Sequence, residues 1–197
     1  MTTVKKSGQR KLFRNKALEL LTKTNPFVHV ITYGGCIVCF LALSKIPIHQ
    51  YWWLLLVGVL LWTLTEYLMH RFVFHLPQSK FQYLIHGVHH EFPRDKERLM
   101  MPPVPGVIFI TLFYGLFFLP FQIHTAIIMA GFLIGYLVYT FIHYMIHAWK
   151  PIAGIKFLWT HHHKHHNPKL EHTCFGVSTP IWDYVFGTLP TSSINKK

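Results

Sequence analysis

Residues 123–147, IHTAIIMAGFLIGYLVYTFIHYMIH, decide the fold of this protein. The apolar part, at about 123–144, has the roughly 20 residues that a helix needs to cross the hydrocarbon core of a membrane. It ends in HYMIH, where His143 and His147 are four residues apart and therefore share one helical face. This stretch predicts a membrane helix whose end carries two aligned imidazoles.

Three further apolar stretches, at about 26–46, 51–69 and 103–119, have a similar length. The connections 47–50 and 120–122 are so short that we expect each pair of helices to form a hairpin. The composition agrees, because 13% of the residues are charged, against about 25% in soluble domains. The sequence predicts an all-α integral membrane protein, with four transmembrane helices in two hairpins within one domain, 26–190.

The basic residues indicate the orientation of these helices. Of the nineteen Lys and Arg residues, seven lie in 1–25, five in 70–102, six in 145–197 and one in a short connection. Because basic residues accumulate on the cytosolic side, both termini are predicted to be cytosolic. Residues 70–102 and 145–190, here called the cap, are predicted to form a helical cytosolic layer, followed by a tail at 191–197. The net charge of +12 is explained by this topology and by anionic lipids, and no pattern indicates nucleic acid.

The segment 1–25 is predicted to be basic and amphipathic, with a helix over 11–21 lying in the membrane interface. A solvated basic tail is the alternative. No cleavable signal peptide is visible, and the three cysteines form no disulfide framework. The apolar face of the predicted helix comprises Leu12, Phe13, Ala17, Leu20 and Leu21.

Histidine is the most unusual feature, with sixteen copies, of which thirteen lie in the cap region or at helix ends facing it. Ten of them form four groups, HRFVFH, HGVHH, HYMIH and the last part of HHHKHH. Ten converging imidazoles suffice for two metal ions. The predicted ligands are His70, His75, His86, His89, His90, His143, His147, His162, His165 and His166.

The spacing within the groups has a physical meaning. Histidines four apart on a helix can chelate one ion, as in 143/147, 86/90 and 162/166. The middle histidine of each HxxHH group, His89 or His165, is turned part-way round the helix and can reach a second ion. His70 and His75 are five apart, so the helix is predicted to end between them. Any single group alone could equally be an ordinary interfacial pair.

The type of ligand limits which metal ions this site can bind. Only seven acidic residues are present, and imidazole ligands suit iron, zinc, copper or nickel better than magnesium or calcium. Zinc alone would imply hydrolysis by a bound water. Two ions beside a lipid-facing cavity favour oxygen activation, with iron as the working metal and zinc able to occupy the same ligands.

The four histidine groups, in this order, resemble the fatty acid hydroxylase superfamily, which includes sterol desaturases. The resemblance covers about 51–190 and extends to MPPVPG (101–106), YTFIHYMIH (139–147) and FGVSTPIWDYVFGT (175–188). These motifs look most like the fatty acid 2-hydroxylase branch. The resemblance implies oxygen-dependent hydroxylation at C2 of sphingolipid acyl chains or free fatty acids, at two iron ions. It places the protein in the endoplasmic reticulum of a eukaryote or the inner membrane of a bacterium.

The resemblance also implies a supply of electrons from cytochrome b5 or a similar carrier. Branch members from yeast and animals carry a fused cytochrome b5 domain, and no such segment is visible here. A separate donor is therefore expected, either cytochrome b5 or a ferredoxin with its reductase.

The family ligands carry over to the ten histidines given above. We predict that His89, His143, His147 and His165 hold one ion and that the other six hold the second. His161 and His163 are extra to the motif and His172 lies outside it, although His161 and His165 are also four apart. Residues predicted to orient the imidazoles through hydrogen bonds, with ordinary packing as the alternative, are Glu66, Tyr139, Tyr144, Asp183 and Tyr184.

Two other functions remain open from the sequence. A hydroxylase of another lipid, such as a sterol or carotenoid, would share the histidines, although the WDYVFGT segment favours acyl chains. A metal transporter or store would place ligands near the bilayer midplane, whereas here they gather at one face.

Overall fold

A computed structural model describes residues 8–76 and 79–190, and all regular structure in these ranges is helical. Two π-helices, Met69–Phe74 and Tyr83–Gly87, and three 3₁₀-helices, Lys96–Arg98, Gln122–His124 and Ala153–Ile155, join the α-helices. The α-helices, in chain order, are α1 Lys16–Leu20, α2 Pro26–Leu43, α3 Ile48–Tyr51, α4 Trp53–Leu68, α5 Lys80–Gln82, α6 Val88–Glu91, α7 Pro103–Phe121, α8 Thr125–Ala148, α9 Lys156–His165 and α10 Ile181–Val185.

Three stretches made up mainly of helices are long and apolar enough to cross a membrane, Pro26–Leu43, Trp53–Phe74 and Lys96–Ala148. The third contains both α7 and α8, which reverse direction at Gln122, where φ is +49°. The rings of Phe113 and Phe117 on α7 lie 5.1 and 5.2 Å from Phe132 on α8. The all-helical fold is confirmed, and each predicted apolar segment is a helix; that all four cross a membrane stays a prediction.

Helix α8 lies at the centre of the bundle. It packs most extensively against α4 and next against α2, and its residues 125–133 are buried without a break. The predicted first hairpin is therefore looser than expected, because α2 packs against α8 far more than against α4. Helix α8 contacts α2 through Tyr136, whose ring lies 5.4 and 4.8 Å from those of His29 and Tyr33.

Glycines bring the backbones of α4 and α8 into direct contact. A Cβ at Gly131 would lie 2.1 Å from the carbonyl oxygen of Leu55, and a Cβ at Gly58 would lie 2.1 Å from that of Ile128. Small residues at such crossings are typical of helix packing in membranes. This close crossing sets the ends of α4 and α8 beside each other.

The start of α2, the end of α4, the start of α7 and the end of α8 meet at one end of the bundle. His29 on α2 hydrogen-bonds through its two ring nitrogens to the carbonyl of Met101 (3.3 Å) and the hydroxyl of Thr140 on α8 (3.1 Å). The Tyr33 hydroxyl also donates to the Met101 carbonyl, at 3.2 Å. The two parts of the cap cover this end.

The predicted interfacial helix at 11–21 is shorter in the structure, where only Lys16–Leu20 is helical. The carboxylate of Glu19 accepts hydrogen bonds from the backbone N–H groups of Leu12 and Phe13, at 2.9 Å each. These bonds hold the preceding residues out of the helix. Residues 1–7 of the predicted amphipathic segment and the tail 191–197 lie outside the described residues.

Ion pairs fasten this N-terminal segment to the cap. Arg98 pairs with Glu19 at 2.5 Å, and Lys23 pairs with Glu97 at 2.7 Å. Arg10 pairs with Glu91 at 3.0 Å. The basic segment is therefore engaged with acidic residues of the cap, which composition alone did not predict.

Replacing Gly131 by alanine tests the close crossing of α4 and α8. The added methyl group would overlap the Leu55 backbone, so we expect the free energy of unfolding to fall by about 1–3 kcal/mol, as for other overpacked sites. Thermal unfolding of the protein in detergent measures this. Gly115→Ala on α7 is the matched control, since a Cβ there has no atom within 4 Å. Equal melting temperatures for the two variants would contradict the crossing.

Candidate metal centre

A π-helix at the end of α4 brings the first pair of histidines together. In this form the backbone hydrogen bonds join residues five apart, and π-helices occur frequently at functional sites. His70 lies within the π-helix Met69–Phe74 and His75 directly follows it, and their ring centroids are 5.3 Å apart. The helix therefore ends between them, at Phe74, as predicted, after a π-helical turn that the sequence did not predict.

The remaining predicted ligands converge on the same region from the cap and from α8. The second π-helix, Tyr83–Gly87, leads into α6 and carries the HGVHH group, and α9 carries HHHKHH. All ten predicted ligands come together, as two groups of five. The first cluster is His70, His75, His86, His90 and His165; the second cluster is His89, His143, His147, His162 and His166.

Ring nitrogens face one another inside each cluster. In each group the candidate ligand atoms all lie within 4.8 Å of one another. In the first cluster the Nε2 atoms of His86 and His90 are 2.8 Å apart and those of His75 and His165 are 2.9 Å apart. In the second, the Nε2 atoms of His147 and His162 are 2.8 Å apart. Each cluster thus has the size of a single-ion site.

The spacing rule holds, but the predicted division between the ions does not. Among the ten predicted ligands, histidines four apart share a cluster, and the middle histidine of each HxxHH group joins the other cluster. The predicted division is wrong for His162, His165 and His166. The reason is that sequence spacing shows which histidines of one helix lie on the same face. It does not show which cluster that face contacts, and this is decided by how α9 packs across both clusters.

Backbone carbonyls fix the tautomer of three of these imidazoles. The Nδ1 atoms of His70, His143 and His165 lie 2.5, 3.2 and 2.9 Å from carbonyl oxygens of Phe175, Leu99 and Thr173. A carbonyl can only accept, so each Nδ1 carries the hydrogen and each Nε2 presents its lone pair to the cluster. Convergent lone pairs need a cation, so these residues fit a bound metal ion.

Burial keeps the imidazoles in the form that binds metal. Burial away from water, followed by repulsion between neighbouring imidazoles, holds the pKa of His86, His89, His162 and His166 well below the ordinary range. Burial similarly lowers the pKa of His165 to about 3. Neutral imidazole, with a free lone pair, is the ligand form.

No carboxylate belongs to either cluster among the described residues. An all-imidazole donor set suits iron, zinc, copper or nickel and disfavours magnesium and calcium. The donor set therefore agrees with the metals predicted from the sequence and does not choose between them.

The two predicted acids do not hydrogen-bond to a ligand histidine. Glu66 is buried and accepts from the backbone N–H groups of Val177 (2.5 Å) and Ser178 (2.9 Å), and from the Ser178 hydroxyl. Asp183, also buried, accepts from residues that follow α9 and from His161 (3.0 Å). Both acids hold the backbone near the clusters rather than the imidazoles.

The predicted tyrosines differ in their proximity to the clusters. The Tyr139 ring is stacked at 5.8 Å from His143. Tyr144 contacts the ring of Trp149 at 6.4 Å, and no hydrogen bond from it to the ten histidines is found in the described ranges. Tyr184 is largely exposed.

The three histidines outside the ligand set have other surroundings. His161 faces Asp183, and His163 donates from Nδ1 to the carbonyl of Trp159 at 2.9 Å. His172 is exposed, at 3.8 Å from Glu171. None of the three belongs to either cluster.

Comparison with known proteins identifies the relatives of this fold and site. The fatty acid hydroxylase family model matches residues 55–188. The fatty acid 2-hydroxylase of Rattus norvegicus is 43% identical over 148 residues, which cover 69% of this chain and 39% of that protein. The ceramide very long chain fatty acid hydroxylase SCS7 of Saccharomyces cerevisiae is 38% identical over 192 residues, which cover 92% of this chain and 50% of that protein.

A solved structure, described as full-length scs7p with only the hydroxylase domain visible, has the same fold. Its TM-score is 0.82 at 37% identity, and the match covers 92% of this chain and 72% of that one. The chain spans 39% to 50% of the length of the two curated relatives named above.

Paired substitutions test the two-cluster grouping. His75→Ala with His165→Ala removes two ligands of the first cluster and should leave about one metal ion per chain after chelator dialysis, instead of about two. His147→Ala with His162→Ala should do the same through the second cluster. Elemental analysis of the purified protein measures the content.

The pair His49→Gln with His172→Gln, two exposed histidines outside both clusters, is the control and should retain both ions. Loss of both ions from either ligand pair, or retention of both, would contradict the grouping.

Proposed function

This chain belongs to the fatty acid hydroxylase family, and we propose that it adds a hydroxyl group at C2 of fatty acyl chains, in ceramides and other sphingolipids or in free fatty acids. The observation that carries the proposal is the pair of largely buried all-imidazole clusters at the end of a bundle of apolar helices. The names of relatives from rat and yeast, a fatty acid 2-hydroxylase and a ceramide very long chain fatty acid hydroxylase, support this substrate class.

In this proposal each cluster holds one metal ion, and iron is the working metal. When bound, two iron ions supply the redox chemistry with molecular oxygen that an unreactive C–H bond requires. One oxygen atom enters the C2–H bond and the other leaves as water, with a pair of electrons and protons from a donor. The proposed donor is a separate cytochrome b5, or a ferredoxin with its reductase. Zinc can occupy the same ligands during purification.

The protein itself would orient the metal ligands, exclude water from the metal site and align the substrate. The carbonyls of Leu99, Thr173 and Phe175 keep three imidazoles in the ligand tautomer. The buried clusters exclude bulk water, which limits the leakage of reactive species. The apolar helices align the acyl chain, and such alignment decides which carbon reacts.

We propose that α2, α4, α7 and α8 all cross the membrane, with the cap and both termini in the cytosol. The basic residues support this orientation, because eighteen of the nineteen lie in 1–25, 70–102 and 145–197. Exposed apolar side chains on the helices, such as Phe27, Leu112 and Leu119, would face lipid. The host membrane would be the endoplasmic reticulum in a eukaryote or the inner membrane in a bacterium.

A cavity of about 200 Å³ beside the second cluster offers room for the polar end of the substrate. Its lining includes the ligands His147 and His166, the indoles of Trp149 and Trp159, and Arg94. C2 is bonded to the carbonyl carbon, so the carbonyl oxygen must bind close to the metal site. We therefore propose that the acyl carbonyl or carboxylate enters this cavity.

Arg94 is the proposed donor to that carbonyl oxygen. Arg10, Lys23 and Arg98 are paired with acids of the N-terminal segment or the cap. Within the described part of the chain, no acid lies within ion-pair distance of Arg94, whose side chain is exposed. A guanidinium free of carboxylates can bind a carbonyl or carboxylate oxygen.

Lipid analysis of cells tests the activity directly. Cells that lack 2-hydroxylated acyl chains should accumulate them when they express this protein with a suitable electron donor. His143→Ala should abolish the product because it removes a second-cluster ligand, while the protein stays in the membrane fraction. Mass spectrometry locates the hydroxyl group. A hydroxylated sterol or carotenoid instead of an acyl product would overturn the substrate assignment.

Replacing Arg94 by glutamine tests the proposed carbonyl site. Loss of a charge-assisted hydrogen bond of about 1.5–3 kcal/mol should raise KM by about 10-fold or more, with little change in metal content. Membranes supplied with increasing acyl substrate give KM. Arg94→Lys should recover much of the loss for a free fatty acid and less for a ceramide, which carries no carboxylate.

Lys169→Gln removes an exposed charge from the cap and serves as the control for Arg94. An unchanged KM in Arg94→Gln for both substrates would contradict the site.

A further inference from the structure

The segment 173–178, TCFGVS, touches two ligands of the first cluster. The carbonyl of Thr173 accepts from His165 Nδ1 at 2.9 Å, and that of Phe175 accepts from His70 Nδ1 at 2.5 Å. One short stretch of backbone thus sets the tautomer and the ring orientation of two imidazoles in the same cluster. In the second cluster, His143 is held instead by the distant carbonyl of Leu99.

Asp183 holds the middle of this segment. Its carboxylate accepts from the backbone N–H of Phe175 at 2.9 Å and that of Gly176 at 2.8 Å. The hydroxyl of Thr188 donates to the same carboxylate at 2.7 Å. The peptide groups around Phe175 are therefore fixed on one side by Asp183 and on the other by His70.

Glu66 holds the far end of the segment. It accepts from the backbone N–H groups of Val177 and Ser178. Glu66 lies one turn before His70 on α4, so the helix that carries this ligand also binds the segment that orients it.

The backbone of the segment depends on these bonds. Cys174 adopts φ +60°, a conformation that a non-glycine residue keeps only when its surroundings over-determine it. At Gly176, a Cβ would lie 2.1 Å from the carbonyl oxygen of Thr179 and 3.0 Å from the Asp183 carboxylate. Only glycine fits where the backbone approaches Asp183 so closely.

His161 links α9 to this arrangement. Its Nε2 lies 3.0 Å from the Asp183 carboxylate, and it belongs to neither cluster. The next residues on α9 include His162 and His165, one ligand of each cluster. The bond from His161 therefore docks α9 against the segment that orients His165.

We propose that Asp183, Glu66 and His161 are positioning residues for the metal ion of the first cluster. They act through the segment 173–178, whose Thr173 and Phe175 carbonyls keep two Nε2 lone pairs directed at the ion. The inference rests on the proposed two-metal function. It goes beyond that function because the three residues would support the binding of the first-cluster ion and not that of the second-cluster ion.

Asp183→Asn tests the selectivity, because it keeps the side-chain size and removes the charge and one acceptor. Loss of a partner that orients ligands costs about 10–100-fold in metal affinity. One of two bound ions should therefore be released at a chelator concentration about 10–100-fold lower than in the unsubstituted protein. The second ion should be released at an unchanged concentration. Elemental analysis along a chelator titration of the purified, zinc-loaded protein gives both values.

His161→Leu should show the same selective release without touching the buried acid, and it keeps the test valid if Asp183→Asn does not fold. His161→Gln retains a donor toward Asp183 and should restore much of the affinity. Glu171→Gln, which alters an exposed acid, is the control and should release both ions as the unsubstituted protein does.

The outcomes separate this inference from the proposed function. If the unsubstituted protein does not bind about two ions per chain, the two-metal function fails first. If it binds both, equal weakening of the two ions in His161→Leu, or no weakening of either, overturns the positioning role. Cobalt loaded in place of zinc adds a spectroscopic signature, since only the first-cluster spectrum should change.

Discussion

The convergence of ten imidazoles, eight of them buried, in two clusters is the constraint on which the rest of this structure depends. Each cluster directs ring nitrogens at one another over 2.8–3.1 Å. Where a backbone carbonyl fixes the hydrogen on Nδ1, the facing Nε2 has only a lone pair to offer. Lone pairs brought together in a buried site repel unless a cation lies between them. The two metal ions that we propose would supply the positive charge that this arrangement requires.

Several local features follow from this constraint. The glycine contacts between α4 and α8 set the ends of these helices side by side, so that His70 and His143 project into neighbouring clusters. The π-helix after α4 turns His75 to the same side as His70. Helix α9 bridges the clusters, with His165 in one and His162 and His166 in the other. A regular α-helix at the end of α4 would have directed one of its two histidines away.

The sequence was sufficient to predict the helices and the members of the two histidine clusters. Apolar length predicts helices α2, α4, α7 and α8, and the recurrence of histidines at helical spacing predicts all ten cluster members. Spacing describes one helix at a time, so it could not predict how α9 packs against the rest of the protein. The predicted assignment of histidines to the two ions was therefore wrong for the histidines of α9. Spacing also could not predict the π-helix, because histidines five residues apart do not lie on one face of an α-helix.

Other features depended on contacts that the sequence pattern does not encode. Glu19 shortened the expected amphipathic helix by accepting from Leu12 and Phe13. The role of the segment 173–178 was missed because backbone carbonyls have no signature in side-chain chemistry. The motif FGVSTPIWDY contained the signal, since a buried acid eight residues after Phe175 is well placed to bind its backbone.

We propose that two ions lie between two defined sets of five histidines. Anomalous X-ray scattering from crystals of the iron-loaded protein, measured on either side of the iron absorption edge, tests it most directly. We expect two peaks, one among His70, His75, His86, His90 and His165, and one among His89, His143, His147, His162 and His166. A single peak, or peaks that place His86 and His90 on different ions, would contradict it.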